Sequence, residues 1–354
     1  MADPPDEVSA ELERLDEHYD AFEENNRGAN GYLFFATNRI TQQDVAIKFY
    51  SGEPGREHDE PRQLATIDSP NVLPILDARN VSEEWAFFMT PRCREGDLDD
   101  VIGARPSIHR GLDVALGVCR GVSAIHANGM LHRDLKPANV VLEGGVPRIA
   151  DFGSVKKLAV GCLDTTATRH SVLYRPPEAF SSNRYDLKGE VYQLGLVTYQ
   201  LLGGTLHYDG TAYMNRSEGK QYAKLDNDCD RSIFIDSVIR SRAEKGKLID
   251  CSSLPPWVSS SARRIVRAMT NPDSEERIGS IGDVVAGLTQ IRAEVADWEW
   301  DGECIVGRTA LGTMQLRPAA DGQFAPYRYG TAGFRRMPRI PAGSFREVVR
   351  GLGL

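Results

Sequence analysis

Among the oxygen-bearing side chains of LHRDLKPANVVLEGGVPRIADFGS, residues 131–154, three stand at unequal intervals: Asp134, Asn139 five positions on, and Asp151 twelve beyond that. Arg133 and Lys136 lie among them, and many of the other residues are aliphatic. Carboxylates take protons from reacting hydroxyls, and carboxylate or amide oxygens hold hard cations. The same groups also cap turns by accepting backbone N–H bonds. The stretch alone leaves both readings open, and the choice depends on the elements around it.

A chain of 354 residues is too long for one small core and suits two or three globular units. Its 41% hydrophobic and 26% charged residues are ordinary for a folded, water-soluble protein. No apolar run approaches the roughly 20 residues that cross a bilayer, so no membrane association is expected. The first residues are acidic rather than basic and then apolar, so no signal peptide is expected and a cytoplasmic location is. Cys93, Cys119, Cys162, Cys229, Cys251 and Cys304 are scattered, with no zinc-clamp or redox spacing, and read as free thiols. The net charge of −8 excludes a nucleic-acid coat. That charge is uneven: residues 1–24 hold ten acids against Arg14 alone, whereas residues 301–354 carry +4 from eight arginines and four acids.

Residues 1–17 read as an acidic, solvated N-terminal tail with a helical turn or two. YLFFATNRI and QDVAIKFY, joined through TQQD, have the pattern of a β-hairpin, and VLPILDARN and EWAFFMT read as further strands. REHDEPRQLATI has helical spacing, with Leu64 and Ile67 on one face. Then the character changes. Leu112, Leu116, Cys119, Val122 and Ile125 recur at threes and fours, with Ser107 as N-cap and Gly129 as the stop. GEVYQLGLVTYQLLGG is apolar nearly all round, a helix buried inside a helical lobe, and SSARRIVRAMTN and IGDVVAGLTQIRAEVADW are amphipathic helices. A small antiparallel β lobe with one helix, about residues 18–92, precedes a larger helical lobe, about 95–297, and a ligand cleft is expected between them. Residues 298–354 form an Arg-rich C-terminal extension, in which ECIVGRTA and TMQLRPA read as strands and FREVVRGL as a helix. There, Tyr327, Arg328, Tyr329, Phe334, Arg335, Arg336 and Arg339 mix aromatic and basic groups. This cluster fits an appendage packed on the acidic core or a docking surface for an acidic protein; nucleic-acid binding is the lesser reading, confined to this extension.

HRDLKPAN, DFG and VAIK, with a glycine-containing loop before VAIK and a PPE segment after DFG, occur in the order of the eukaryotic-type serine/threonine protein kinases. The chain resembles that family over residues 18–297, and the two-lobed α+β protein kinase fold is what the resemblance implies. It also implies ATP and Mg2+ as cofactors and transfer of the γ-phosphate to a protein hydroxyl. Phosphoryl transfer needs charge neutralisation and alignment more than covalent help. By resemblance, Asp151 and Asn139 supply oxygens to magnesium, Asp134 faces the substrate hydroxyl, and Lys136 reaches the transferring phosphoryl group. Lys48 of VAIK holds the ATP phosphates. Glu60 is its expected ion-pair partner, with Glu57 the rival because Pro61 restricts the helix to begin near residues 58–60. Asn26, Gly28 and Gly31 fall at the three glycine positions of the phosphate-covering loop, so the first glycine is absent. Leu33, Ala46 and Val141 would enclose adenine, Pro91 and Cys93 would offer backbone groups to it, and Thr90 would guard the back of the pocket. Glu178 should pair with Arg277, and Glu190 stands where the family usually has Asp to anchor the catalytic loop. Thr165, Thr166, Thr168 and Ser171 lie in the activation segment; Arg133, Lys156 and Lys157 are the basic groups that would clamp a phosphate there. Lys136 and Ser171 favour the serine/threonine class over the tyrosine class. The alternative function is a pseudokinase that regulates a partner through its extension, supported by Asn26 and Glu190. A small-molecule phosphotransferase is the third, though such enzymes usually lack the PPE segment and its arginine.

Overall fold

The computed structural model describes residues 4–25, 31–51, 59–158, 164–166 and 172–353, with the backbone alone for 59–60 and 164–166. Five strands, β1 Tyr19–Asn25, β2 Tyr32–Asn38, β3 Asp44–Ser51, β4 Asp77–Asn80 and β5 Trp85–Pro91, form one antiparallel sheet in the order β1-β2-β3-β5-β4. Alternation sorts their side chains. Phe34, Ala36, Val45, Ile47, Phe49, Phe87 and Met89 are buried on one face. Leu33 lies opposite Lys48 and Phe35 opposite Ala46, so these four share the other face. A slip of one residue would carry Lys48 into the apolar side.

The N-terminal residues correct the expectation of a solvated tail. Helix α1, Asp6–Leu15, seats Val8 and Leu15 in the small-lobe core, with Leu12 packed beside them. Those positions share one helical face with Glu11, whose carboxylate pairs with Arg14 at 3.0 Å, and the remaining acids occupy the other faces. Asp6 and Glu7 stand in the first turn and Arg14 in the last, the arrangement that complements the helix dipole. VLPILDARN is shorter as a strand than expected: only Asp77–Asn80 pair, while Val72 makes an isolated bridge to Ile149.

Short helices α2, Asp59–Leu64, and α3, Leu98–Gly103, flank the passage into the helical lobe. Its axis is α4, Ile108–Ala127, capped by Ser107 Oγ accepting from Arg110 N–H and ended at Gly129 with φ +70°. A Cβ on Gly111 would lie 2.4 Å from the Leu201 carbonyl oxygen, so glycine sets how closely α4 approaches helix α6, Leu187–Leu201. Between α4 and α6 run the short pairs β6 Met130–Leu131 with β9 Lys156–Lys157, and β7 Val140–Glu143 with β8 Val146–Ile149. Strand β10, Asp164–Thr166, pairs with β11, Arg184–Asp186, on either side of helix α5, Pro177–Ser181. Helices α7 Arg216–Tyr222, α8 Asp228–Glu244, α9 Ser260–Met269 and α10 Ile281–Glu294 complete the lobe.

The extension folds as a five-stranded antiparallel meander, β12 Asp297–Asp301, β13 Cys304–Thr309, β14 Gly312–Pro318, β15 Phe324–Gly330 and β16 Gly333–Arg336, followed by helix α11, Phe345–Gly351. Trp298, Ile305, Met314, Leu316, Phe345 and Val348 belong to the same buried cluster as α4, α6 and α9. Trp257 of the helical lobe meets Trp300 edge-on at 5.1 Å, and Trp298 meets Phe345 at 5.1 Å. His109 at the start of α4 donates its N–H to Asp297 at 3.1 Å. The extension is a wall of the helical lobe. Trp298→Ala should therefore lower unfolding stability by about 3–5 kcal/mol, as for other large buried aromatics. Urea unfolding measures it, and a loss below about 1 kcal/mol would mean that the extension is not part of this core.

Candidate active site

The cleft-facing side of the sheet carries Lys48 on β3. Its Nζ lies 3.4 Å from Asp151 Oδ1, across the cleft, and 5.6 Å from the centre of the Phe88 ring. Gly31 enters β2 with φ +103°, and a Cβ there would stand 2.1 Å from the Phe49 carbonyl oxygen, so only glycine fits. Asn26, Gly28, Glu57, Thr168 and Ser171 lie outside the described residues, as does the side chain of Glu60. The expected partnership of Lys48 with Glu60 or Glu57 falls there too.

On the opposite wall the residues between β6 and β7 bring Asp134, Lys136 and Asn139 together. Asp134 is buried; its Oδ2 accepts from Lys136 Nζ at 2.7 Å and from Asn139 Nδ2 at 3.1 Å. Asn139 Nδ2 also donates to the Asp134 carbonyl at 2.7 Å, which fixes the turn. Asp134 Oδ1 is buried and meets no donor among the described residues. A buried acceptor without a partner is costly, of order 1–3 kcal/mol, and marks a place where a donor from outside belongs. Asp151 follows in the left-handed region at φ +54°. Burial pushes its carboxyl up, but Lys48, with His132 and Lys136 behind it, outweighs burial and holds the group below the usual carboxylate range.

The loop takes its shape from side chains buried in α6. Glu190, wholly buried, accepts the Arg133 N–H at 2.8 Å through Oε1, while Oε2 contacts His126 Nε2 at the end of α4. Gln193, one turn on, accepts the Leu135 N–H at 3.0 Å and the Tyr185 hydroxyl at 2.6 Å. His132 is buried with Nε2 3.1 Å from the Ala150 carbonyl, and its ring meets Phe152 at 5.4 Å. Arg133, at φ +68°, sends Nε to the Ser154 carbonyl at 2.6 Å, which ties the DFG turn to the loop before it.

At the hinge, Thr90 is buried opposite Ala46 and is followed by Pro91 at the end of β5. Burial, with Glu143 adding to it, pushes the Cys93 thiol up to about 11, so it is a neutral thiol rather than a nucleophile. Val141 bridges to Asp97 below the hinge, and Leu33 stands above on the sheet face. Arg92 lies 4.0 Å from the centre of the Phe35 ring and donates to Glu23 at 2.8 Å. Farther out, Arg277 gives two parallel bonds to Glu178, at 2.7 and 2.9 Å, and one more to the Lys188 carbonyl at 2.8 Å. Thr165 and Thr166 belong to the β10–β11 ladder, opposite Tyr185 and Arg184.

The sequence pattern of the protein kinase domain matches residues 21–288. The chain belongs to this family. Among curated relatives, it is 31% identical over 201 residues to the DNA damage-responsive serine/threonine-protein kinase RqkA of Deinococcus radiodurans, covering 52% of this chain and 29% of that one. It is 33% identical over 202 residues to rat serine/threonine-protein kinase 16, covering 50% and 63%. A probable serine/threonine-protein kinase of Clostridium perfringens is 24% identical over 207 residues, 55% of this chain and 30% of that protein. The chain thus covers less than two thirds of the length of each. Family membership carries with it the use of ATP and Mg2+. No helix among the described residues is long and apolar enough to cross a membrane.

Within the kinase family pattern, the residues that sequence reasoning missed are those that hold the loop: His126, Gln193 and Tyr185. Gln193 had a signal, a second polar side chain three positions after Glu190 in a helix apolar nearly all round. His126 had none, because its role depends on where α4 ends against α6.

Two measurements test these supports. Glu178→Ala would leave the Arg277 side chain, which is 0% exposed, without its counter-charge, at a cost of about 3–5 kcal/mol in urea unfolding; a change near zero would show that the backbone carbonyls suffice. Burial raises the Glu190 carboxyl, but His126, then His132 and the Arg133 N–H, outweigh it and hold the group below its ordinary 4.5. A depressed carboxyl stabilises the fold above its unfolded value, and the contribution is lost as pH falls through the folded value. Glu190→Gln should therefore melt earlier than the parent at neutral pH and converge on it in acid. A gap independent of pH would remove the charge from the account.

Proposed function

We propose that the chain is an active serine/threonine protein kinase, transferring the γ-phosphate of ATP to a protein hydroxyl. The observation that carries this reading is the Asp134 carboxylate: one oxygen is fastened by Lys136 and Asn139, and the other is buried without a donor among the described residues. A substrate hydroxyl presented to that free oxygen would be oriented for attack and could give up its proton to it. Lys136, already 2.7 Å from Asp134, supplies positive charge at the point of transfer. Lys48 and Asp151 bring a cation and a carboxylate to the same cleft from opposite lobes, the pairing that ATP phosphates and their counter-ion need.

The donor set fits magnesium. Asn139 spends its amide nitrogen on Asp134, and its amide oxygen makes no hydrogen bond among the described residues. Asp151 is held ionised. One carboxylate and one amide oxygen, completed by phosphate oxygens and water, is a usual complement for this ion. When bound, magnesium neutralises the phosphate charge that would otherwise repel the attacking oxygen.

The pseudokinase alternative drew on Glu190, but that side chain reaches the Arg133 N–H despite its additional methylene, and His126 takes its other oxygen. That geometry favours activity. The Glu178–Arg277 pair, which braces the segment after Val172, favours a protein substrate over a small molecule. Regulation by phosphate on the activation segment belongs to the same reading, because β9 exposes Lys156 and Lys157 beside the strand that leads into Arg133.

Purified protein with labelled ATP, magnesium and a generic basic protein tests the proposal. Lys48→Met and Asp151→Ala should abolish transfer with the fold intact, and Asp134→Asn should still bind ATP while transfer falls by at least about a hundredfold. Turnover at the parental rate in Asp134→Asn would overturn the assignment.

A further inference from the structure

A cavity of about 410 Å³ opens beside the catalytic loop, and Lys136, Leu173, Tyr174 and Tyr208 line it. Lys136 also bonds Asp134, so a peptide whose hydroxyl reaches the free Oδ1 of Asp134 lays a neighbouring side chain at this opening. The tyrosine hydroxyls are already engaged. Tyr174 donates to Gln200 at 2.8 Å, and Tyr208 bonds to Asp99. What they offer an incoming side chain is therefore ring and methylene surface.

Two carboxylates complete the lining: Asp99, in the first turn of α3, and Asp236, on α8. They come from elements far apart in sequence, and neither makes an ion pair among the described residues. Among the described residues, the only cation in the lining is Lys136, and it is held by Asp134. Partial burial holds the Asp99 carboxyl above its ordinary value, with the repulsion of Asp97 and Asp100 adding to it and the Tyr208 bond opposing it. The cavity thus pairs apolar walls with two carboxylates that no cation among the described residues neutralises. That is the complement of a side chain with a long hydrocarbon stem and a cationic end.

We infer that this cavity selects protein substrates carrying an arginine or lysine close to the phosphorylated hydroxyl, with Asp99 and Asp236 receiving the cation. The inference rests on the kinase reading of Asp134 and gives it a substrate class.

The test is a library of serine peptides in which arginine, norleucine or glutamate is scanned through the positions flanking the serine, with labelled ATP and the full chain. At one or more positions, arginine should lower KM by about tenfold relative to norleucine. Asp99→Asn, which keeps an acceptor for Tyr208, and Asp236→Asn should each raise KM for the arginine peptide towards that of the norleucine peptide. The norleucine value itself should not move. Asp236 is exposed, so its replacement keeps the fold, and Asp236→Lys should turn the preference towards glutamate. No preference for arginine in the parent, or a preference that survives both asparagine variants, would overturn the inference while leaving the kinase reading intact. Absence of transfer to every peptide would overturn both.

Discussion

Glu190 is a carboxylate sealed inside an apolar helix, and such a group survives only where donors surround it. Its donors come from two places: His126 at the end of α4 and the backbone N–H of Arg133. The loop from His132 to Asn139 has little regular structure of its own, so its conformation depends on bonds to fixed neighbours. Glu190 fixes its start and Gln193 the next turn, through the Leu135 N–H. Asp134 lies between those two anchors. Its carboxylate can therefore face the cleft with one oxygen unsatisfied, because the backbone on either side is paid for by α6.

The two lobes divide the electrostatic work. The small lobe contributes a cation held by strand register: Lys48 shares a sheet face with Ala46 and Leu33 because alternation leaves it no other place. The helical lobe contributes carboxylates held by loops: α6 ties down the loop of Asp134 through Glu190 and Gln193, and that loop in turn holds the turn of Asp151 through His132 and Arg133. Asp151 adopts a left-handed backbone that Arg133 supports from behind through the Ser154 carbonyl. Lys48 and Asp151 are thus opposed across a gap, whereas Asp134 is paired with Lys136 within the helical wall.

How much of this was legible in the sequence followed how tightly chemistry restricts residue type. Asp134, Lys136, Asn139 and Asp151 were readable because few side chains can replace them at that spacing. α4 was readable from its period. α1 was not, because Val8, Leu12 and Leu15 are a thin apolar line among acids, and only the sheet beneath them shows that the line is buried. α8 escaped for a similar reason, with Val238, Ile239 and Ala243 its only buried residues. In the extension β13 and β14 alternate clearly, whereas β15 contains Pro326 and β16 is a polar edge, so their aromatic and basic residues read as a cluster rather than as paired strands. The Asp99 and Asp236 cavity was invisible for the simplest reason: its walls meet only in three dimensions.

α4 has one histidine near each end, and each is bonded to something outside the helix. His109 meets Asp297 and Val295, where the C-terminal sheet begins, and His126 meets Glu190, which grips the catalytic loop. A helix rises about 1.5 Å per residue, so the two contacts stand about 25 Å apart on one stiff rod. The extension is thereby mortised into the same beam that steadies the loop at its far end. Such a segment cannot be exchanged between proteins like a tag on a linker. Wherever this extension is inherited, the bond of Asp297 to α4 and the tryptophan that receives Trp300 must be inherited with it.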